Sequence, residues 1–303
     1  MLTTSPHKET GPVKGRNALQ ALGVLMPIRL SPLKFLPGRH PLGRAGSGLR
    51  FLRTRLFLQG EDNPRDIDKF SPKEARQVIE WEEEAQASVM ILADVSASMS
   101  LPTKAALRNT TILQLTYSLW RAGDRIGTIF FSSALHKEIR AANLKVQMEH
   151  LNRELANLDV YPETDILSVL RRYMNQSARN RPDLLFVISD FVSMQTESMQ
   201  MDSHWYPVLN QLRNNLIPVI VTFEISMGIR GMLKLWDPER RTRRLTWFSS
   251  DRIKQVNQEE KERVDNLVQK FRAAGLDYLV ISSQREIYPQ LAQLARQRRG
   301  RKN

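Results

Sequence analysis

The stretch Val89-Met90-Ile91-Leu92-Ala93-Asp94-Val95-Ser96-Ala97-Ser98-Met99-Ser100 decides how the rest of the chain is read. It opens as an apolar run of strand character and closes on Asp94, Ser96 and Ser98, three oxygen-bearing side chains at alternate positions. Residues 104–122 then read as a helix. A strand that feeds a helix through a polar loop is where open α/β sheets place ligands. Hard oxygen donors held close together suit Mg²⁺ or Ca²⁺ over softer ions.

The same rhythm continues downstream. Apolar segments at 125–132, 184–190, 216–223 and 278–282 are expected to be strands, with a short edge strand at 135–139. Helices are expected at 144–158, 165–175, 199–212, 257–274 and 287–296. In the first of these, Leu144, Met148, Leu151, Leu155 and Leu158 keep helical spacing. Gly275 is placed to end the 257–274 helix. Short apolar strands alternating with helices imply an α/β fold, a doubly wound, mostly parallel sheet covered on both faces. Residues 232–236 and 245–248 flank Asp237-Pro238-Glu239-Arg240-Arg241-Thr242 and read as an inserted β-hairpin at about 230–250.

Four regions follow. Residues 1–45 form a basic, Pro/Gly-rich, largely irregular extension, interrupted by Pro6, Pro12, Pro27, Pro32, Pro37 and Pro41, with a short helical turn expected over 18–26 and no core. Residues 46–86 form a segment packing on or preceding the sheet, in which Leu52, Leu56 and Leu58 hint at extended structure. Residues 87–296 form the α/β domain, and 297–303 a basic tail.

The 303-residue chain carries a net charge of +13, but unevenly. Residues 1–60 hold ten Lys/Arg against Glu9, and residues 285–303 hold six against Glu286, so the middle is close to neutral. Basic ends can bind nucleic acid or anionic lipid through phosphate contacts. The plainer alternative is a pair of solvated tails. The chain has no cysteine, which excludes disulfides and thiolate metal sites. No apolar run approaches the ~18 residues of a membrane span, and residues 1–10 do not read as a secretory signal. The expectation is a cytoplasmic protein, with peripheral membrane contact through the basic ends left open.

Three loops carry oxygen ligands at the ends of expected elements: Asp94-Val95-Ser96-Ala97-Ser98, Glu163-Thr164-Asp165 and Ser189-Asp190. In a doubly wound sheet such loops share one edge and can converge. Ser96, Ser98 and Thr164 offer neutral hydroxyls; Asp94 and Asp190 are anions able to bind directly or through water. Mg²⁺ takes about six oxygens and keeps several waters. A corner is thereby left open for a carboxylate from a partner protein. The plainer alternative is that Asp94 caps the following turn and the serines are ordinary loop residues. His136, His150 and His204 share no metal-ligand spacing, and Trp81, Trp120, Trp205, Trp236 and Trp247 read as packing residues.

The Asp-x-Ser-x-Ser loop with a later Thr and a later Asp resembles the metal-ion-dependent adhesion site of von Willebrand factor A domains. That resemblance implies direct coordination of Mg²⁺ (with Ca²⁺ or Mn²⁺ as substitutes) by Ser96, Ser98 and Thr164, and water-mediated roles for Asp94 and Asp190. The Thr loop departs from the pattern, with Glu163 where many relatives have Gly. Upstream, Gly46-Ser47-Gly48 followed by Gly60-Glu61-Asp62-x-x-Arg65-x-Ile67-Asp68 is similar to the bacterial domain-of-unknown-function family 58, over about residues 43–296. Lys69 departs from it, since relatives usually carry Trp there. The family implies a protein-interaction or co-chaperone role beside a MoxR-type AAA+ ATPase and a client protein.

Candidate partner-binding residues are Glu61, Asp62, Arg65, Asp68, Glu163 and Asp165. For the first four, the alternative is a loop knitted by local ion pairs, each worth little if exposed. Enzymes are the rival class. A phosphohydrolase built on Asp94 needs a second acid where Ser96 stands, and there is no phosphate-binding Gly-x-x-x-x-Gly-Lys-Ser/Thr loop or Gly-x-Ser-x-Gly elbow. Gly46-Ser47-Gly48 could wrap a phosphate but precedes no clear helix. The reading is a non-catalytic metal-dependent docking module; the alternative is a nucleic-acid- or anionic-membrane-binding protein.

Overall fold

In the computed structural model, which describes residues 26–28, 37–175, 181–194, 201–226, 231–237 and 242–300, the elements run in this order. β1 (Pro37–Leu56) and β2 (Gln77–Ala85) come first, then β3 (Ser88–Asp94), α1 (Pro102–Arg121), β4 (Arg125–Phe131), β5 (Leu135–Ile139), α2 (Leu144–Ala156) and α3 (Ile166–Met174). β6 (Leu184–Ser189), α4 (Met201–Leu212), β7 (Leu216–Val221), the hairpin β8 (Gly231–Asp237) and β9 (Thr242–Phe248), α5 (Ser250–Ala273), β10 (Leu279–Ile281) and α6 (Ile287–Gly300) follow.

Six strands form the main sheet in the order β10-β7-β6-β3-β4-β5. All neighbours are parallel except β5, which pairs antiparallel with β4 at the edge. β3 is central because its apolar residues are buried on both sides. Val89, Ile91 and Ala93 pack on one face, with Ile112, Leu115 and Leu119 of α1 and Leu291 of α6. Leu92 packs on the other, with Ile166 and Leu170 of α3, Leu209 of α4 and Leu267 and Phe271 of α5. Alternation along a strand sends successive side chains to opposite faces, so one apolar run serves both layers. The next strand in sequence, β4, lies on one side of β3, and β6 lies on the other. That leaves a crevice at the carboxyl end of β3, the place where such sheets bind ligands.

α1 begins on Pro102, whose missing N–H costs nothing in the first turn. It ends before Gly123, which takes a positive φ of 99° that a glycine adopts freely. Gly275 ends α5 in the same way, at φ 68°. α5 starts at Ser250, seven residues before the expected 257, because the Ser249 hydroxyl caps the Arg252 N–H and Asp251 favours the first turn. The two strands expected around 230–250 pair antiparallel as β8 and β9, with Met232 opposite Trp247 and Leu235 opposite Arg244.

The N-terminal extension departs from expectation in two ways. Strand β1 begins at Pro37, inside the stretch read as irregular, and pairs antiparallel with β2 in a separate two-stranded ribbon. Its prolines and glycines are tolerated because this pairing shifts register: Glu82 faces both Ala45 and Arg50. Gly46 therefore lies within a strand and not in a phosphate loop; a Cβ there would stand 2.5 Å from Glu83 Cβ. Met26 and Ile28 are fully buried in the α1/α6 layer, where no core was expected, and the Pro27 carbonyl accepts from Arg298 Nε at 3.0 Å. The helical turn expected over 18–26 lies outside the described residues, apart from Met26. Trp205 packs in the core, whereas Trp81 is 42% exposed across from Phe51.

Candidate metal centre

β3 delivers Asp94 to the crevice, and the carboxylate becomes the hub of a rim built by three loops. The first loop folds straight back on it: the Ser96 N–H donates to Asp94 Oδ1 at 2.8 Å, and Ser96 Oγ lies 3.2 Å from Ser98 Oγ. A single turn of 3-10 helix over Ser98–Ser100 holds this geometry, with the Ser100 hydroxyl donating to the Ala97 carbonyl.

The second loop is tied down on both sides. Tyr161 forms a bridge beside Ser96 and donates its N–H to the Val95 carbonyl at 3.3 Å, while the Asp165 N–H donates to the Ser132 carbonyl at 3.1 Å. Between these anchors the Thr164 hydroxyl donates to Asp94 Oδ1 at 3.2 Å. Glu163 does not displace it; that side chain is exposed. Asp165 caps α3, accepting from the Ser168 N–H at 2.9 Å.

The third loop closes the far side. The Ser189 hydroxyl donates to Asp94 Oδ2 at 2.5 Å and accepts from the Phe191 N–H. Asp190 is buried beside it and accepts from the Val192 N–H at 3.3 Å. Phe191 adopts φ 55°, rare for a bulky residue. Its ring meets Phe271 edge-on at 5.3 Å in the second core layer, and that packing holds the turn.

Burial pushes the Asp94 carboxyl above the ordinary carboxylate range, and the Asp190 charge adds to the effect, against the hydrogen bonds from Ser189 and Ser96. A nearby cation relieves this kind of stress directly. Among the described residues no three His, Asp or Glu side chains gather to hold a metal. The donor set is instead two carboxylates, three hydroxyls and whatever water they order, an all-oxygen set that fits a hard, water-retaining ion such as Mg²⁺. Asp94, Ser96, Ser98 and Thr164 are joined in one hydrogen-bonded cluster, and Asp190 reaches it through the adjacent Ser189.

Four side chains outside the candidate set complete the site. Lys104 Nζ lies 2.6 Å from Asp190 Oδ2. Arg108 Nη1 donates to the Asp94 carbonyl at 3.1 Å, its guanidinium pushed down to about 10 by burial. Ser189 positions Asp94. Arg263 donates to the Asp190 carbonyl at 2.5 Å and pairs with Glu260. Lys104 and Arg108 fall at i, i+4 on one face of α1, a spacing visible in the sequence although their burial was not.

The other candidates sit apart, on the β1–β2 connection. Asp62 is held by both terminal nitrogens of Arg55 and by the Leu58 N–H. Asp68 accepts from the Phe70 N–H. Both therefore shape the loop, while Glu61 and Arg65 are exposed. Of the basic ends, residues 1–25, 29–36 and 301–303 lie outside the described residues, and Arg298 of α6 is engaged with Asp277 at 3.1 Å. No helix among the described residues is long and apolar enough to cross a membrane.

The topology is that of a von Willebrand factor A-like α/β fold, extended by a small antiparallel ribbon at its N-terminal side. The chain belongs to the family described as "Protein of unknown function DUF58", whose profile matches residues 54–265. Among solved structures it is similar to an aerotolerance-related membrane protein from Bacteroides fragilis NCTC 9343, at 12% identity and TM-score 0.41, covering 68% of this chain and 99% of that one. BatB from Bacteroides thetaiotaomicron is similar at 11% identity and TM-score 0.39, covering 69% and 99%. A von Willebrand factor type A protein from Catenulispora acidiphila is similar at 11% identity and TM-score 0.39, covering 71% and 43%. No curated protein matches the chain.

Proposed function

We propose that this chain is a non-catalytic, Mg²⁺-dependent protein-interaction module, acting as adaptor or co-chaperone of a MoxR-type AAA+ ATPase on a client protein. The observation that carries this reading is the convergence on Asp94 of hydrogen bonds from all three loops: Ser96 from the first, Thr164 from the second, Ser189 from the third. Hydroxyls and carboxylates gathered this way fit an ion that leaves one corner to an Asp or Glu of the partner. A carboxylate that completes the coordination makes association metal-linked. Against an aspartyl-phosphatase reading, Ser96 stands where that chemistry would want a second acid, which favours binding over hydrolysis.

The test is a pull-down with the full chain as bait and, as prey, a MoxR-type AAA+ ATPase from the same organism. Mg²⁺ is expected to support retention. EDTA and Asp94→Ala are expected to abolish it, while far-UV circular dichroism shows the fold intact. Ser98→Ala serves as a second variant, since its hydroxyl contributes less to the local hydrogen bonding. Retention indifferent to EDTA and to both substitutions would contradict the proposal.

A further inference from the structure

A buried ammonium stands against the very carboxylate assigned to the ion. Lys104 leaves the first turn of α1, its side chain only 8% exposed, and Nζ reaches Asp190 Oδ2 at 2.6 Å, where the carboxylate is 2% exposed. One turn later the Arg108 guanidinium donates to the Asp94 carbonyl, so a second buried cation stands at the rim. The Asp190 carboxylate is thus countered before any ion arrives, and a dication entering the rim is repelled by both cations.

The two cations differ in freedom. Arg108 is fixed by donors spent on the Asp94 carbonyl and on Asn109. Lys104 is a point charge on a flexible stem. Its ammonium has other company within reach: the Phe223 ring centre at 6.0 Å, and the Glu260 carboxylate, which feels its charge. Burial acts to raise that Glu260 carboxyl, but Arg263, Thr222 and the Lys104 charge outweigh it and hold the group below its ordinary value, so it stays anionic. An anion is therefore available to receive the ammonium if it leaves Asp190.

Building on the metal reading above, we propose that Lys104 is a resident counter-cation that competes with the divalent ion for Asp190. Ion entry displaces the ammonium toward Glu260 and Phe223, and the rim alternates between a lysine-filled and a metal-filled state. Lys104 thereby sets a weak intrinsic metal affinity, and a partner carboxylate that stabilises the metal-filled state draws the ion in.

The test is isothermal titration of the full chain with Mn²⁺, comparing wild type, Lys104→Met, Lys104→Arg and Ser98→Ala. Lys104→Gln serves in place of Lys104→Met should the latter not fold. Removing the charge is expected to tighten Mn²⁺ binding by about tenfold or more, given the strength of charge interactions in poorly solvated surroundings. Lys104→Arg, which keeps the charge, is expected to bind as wild type, and Ser98→Ala more weakly. If Ser98→Ala weakens binding but the uncharged variants bind no tighter than wild type, the metal reading stands and the counter-cation fails. The counter-cation fails equally if Lys104→Arg binds as tightly as Lys104→Met. Absence of saturable binding in both wild type and the uncharged variants overturns both proposals.

Discussion

Asp94 accepts from Ser96, Thr164 and Ser189, and the last of these is the bond whose loss costs the fold most. The Ser189 hydroxyl is fully buried, donates to Asp94 and accepts from Phe191, so its removal strands two buried polar groups. Ser189→Ala is expected to lower stability by about 1–3 kcal/mol in urea unfolding; an unchanged midpoint would show that Asp94 does not depend on it. Ser98 is the contrast. Its hydroxyl is shared with Ser96 and half-buried, so Ser98→Ala is expected to shift stability by no more than about 0.5 kcal/mol while weakening metal binding. Asp94, Ser96 and Ser98 were legible because alternate oxygen-bearing residues at the end of an apolar run leave few other readings. Lys104 and Arg108 were not: a basic residue in a helix reads as solvated, and only packing against β3 and the Ser189-Asp190 loop decides that these two face inward.

At the level of elements, the parallel strands were legible because each is short, apolar and buried on both faces, and their helices because amphipathic spacing survives in the sequence. The ribbon of β1 and β2 was only hinted at, through Leu52, Leu56 and Leu58, and its start at Pro37 and its pairing with β2 were not legible, for the opposite reason. Its strands are joined by backbone pairing and lined by cross-strand charge pairs, Arg44 with Glu83 at 2.6 Å and Arg53 and Arg55 with Glu80 at 2.7 and 2.6 Å, which local hydropathy does not register. Gly46→Ala is expected to force β1 away from Glu83 and raise protease cleavage of the ribbon without unfolding the main sheet; wild-type resistance would show the strands can part freely.

Arg55 also holds the Asp62 carboxyl down at about 2, with the Leu58 N–H helping. A depressed carboxyl stabilises the folded form above its unfolded value, about 4, and that contribution fades as pH falls toward about 2. Asp62→Asn is therefore expected to make the 57–76 connection more sensitive to pepsin at pH 4, with the two proteins converging at pH 2. A constant difference across that range would mean that Asp62 titrates elsewhere.

For the whole molecule, the order β10-β7-β6-β3-β4-β5 matters more than any single contact. It puts the ends of β3 and β6 side by side, and the Tyr161–Asp165 loop, tied to Val95 and Ser132, reaches over them. Residues about 70 and 95 positions from Asp94 are thus brought to its carboxylate. That convergence depends on tertiary topology, which explains why the sequence could nominate the five oxygens but not their neighbours. The most direct test is backbone amide NMR of the full chain titrated with Mn²⁺. Paramagnetic broadening is expected first at residues 95–100, 163–166 and 189–192, and is expected to require more Mn²⁺ in Ser98→Ala. Broadening that starts elsewhere, or that is unchanged in that variant, would contradict a metal held at this rim.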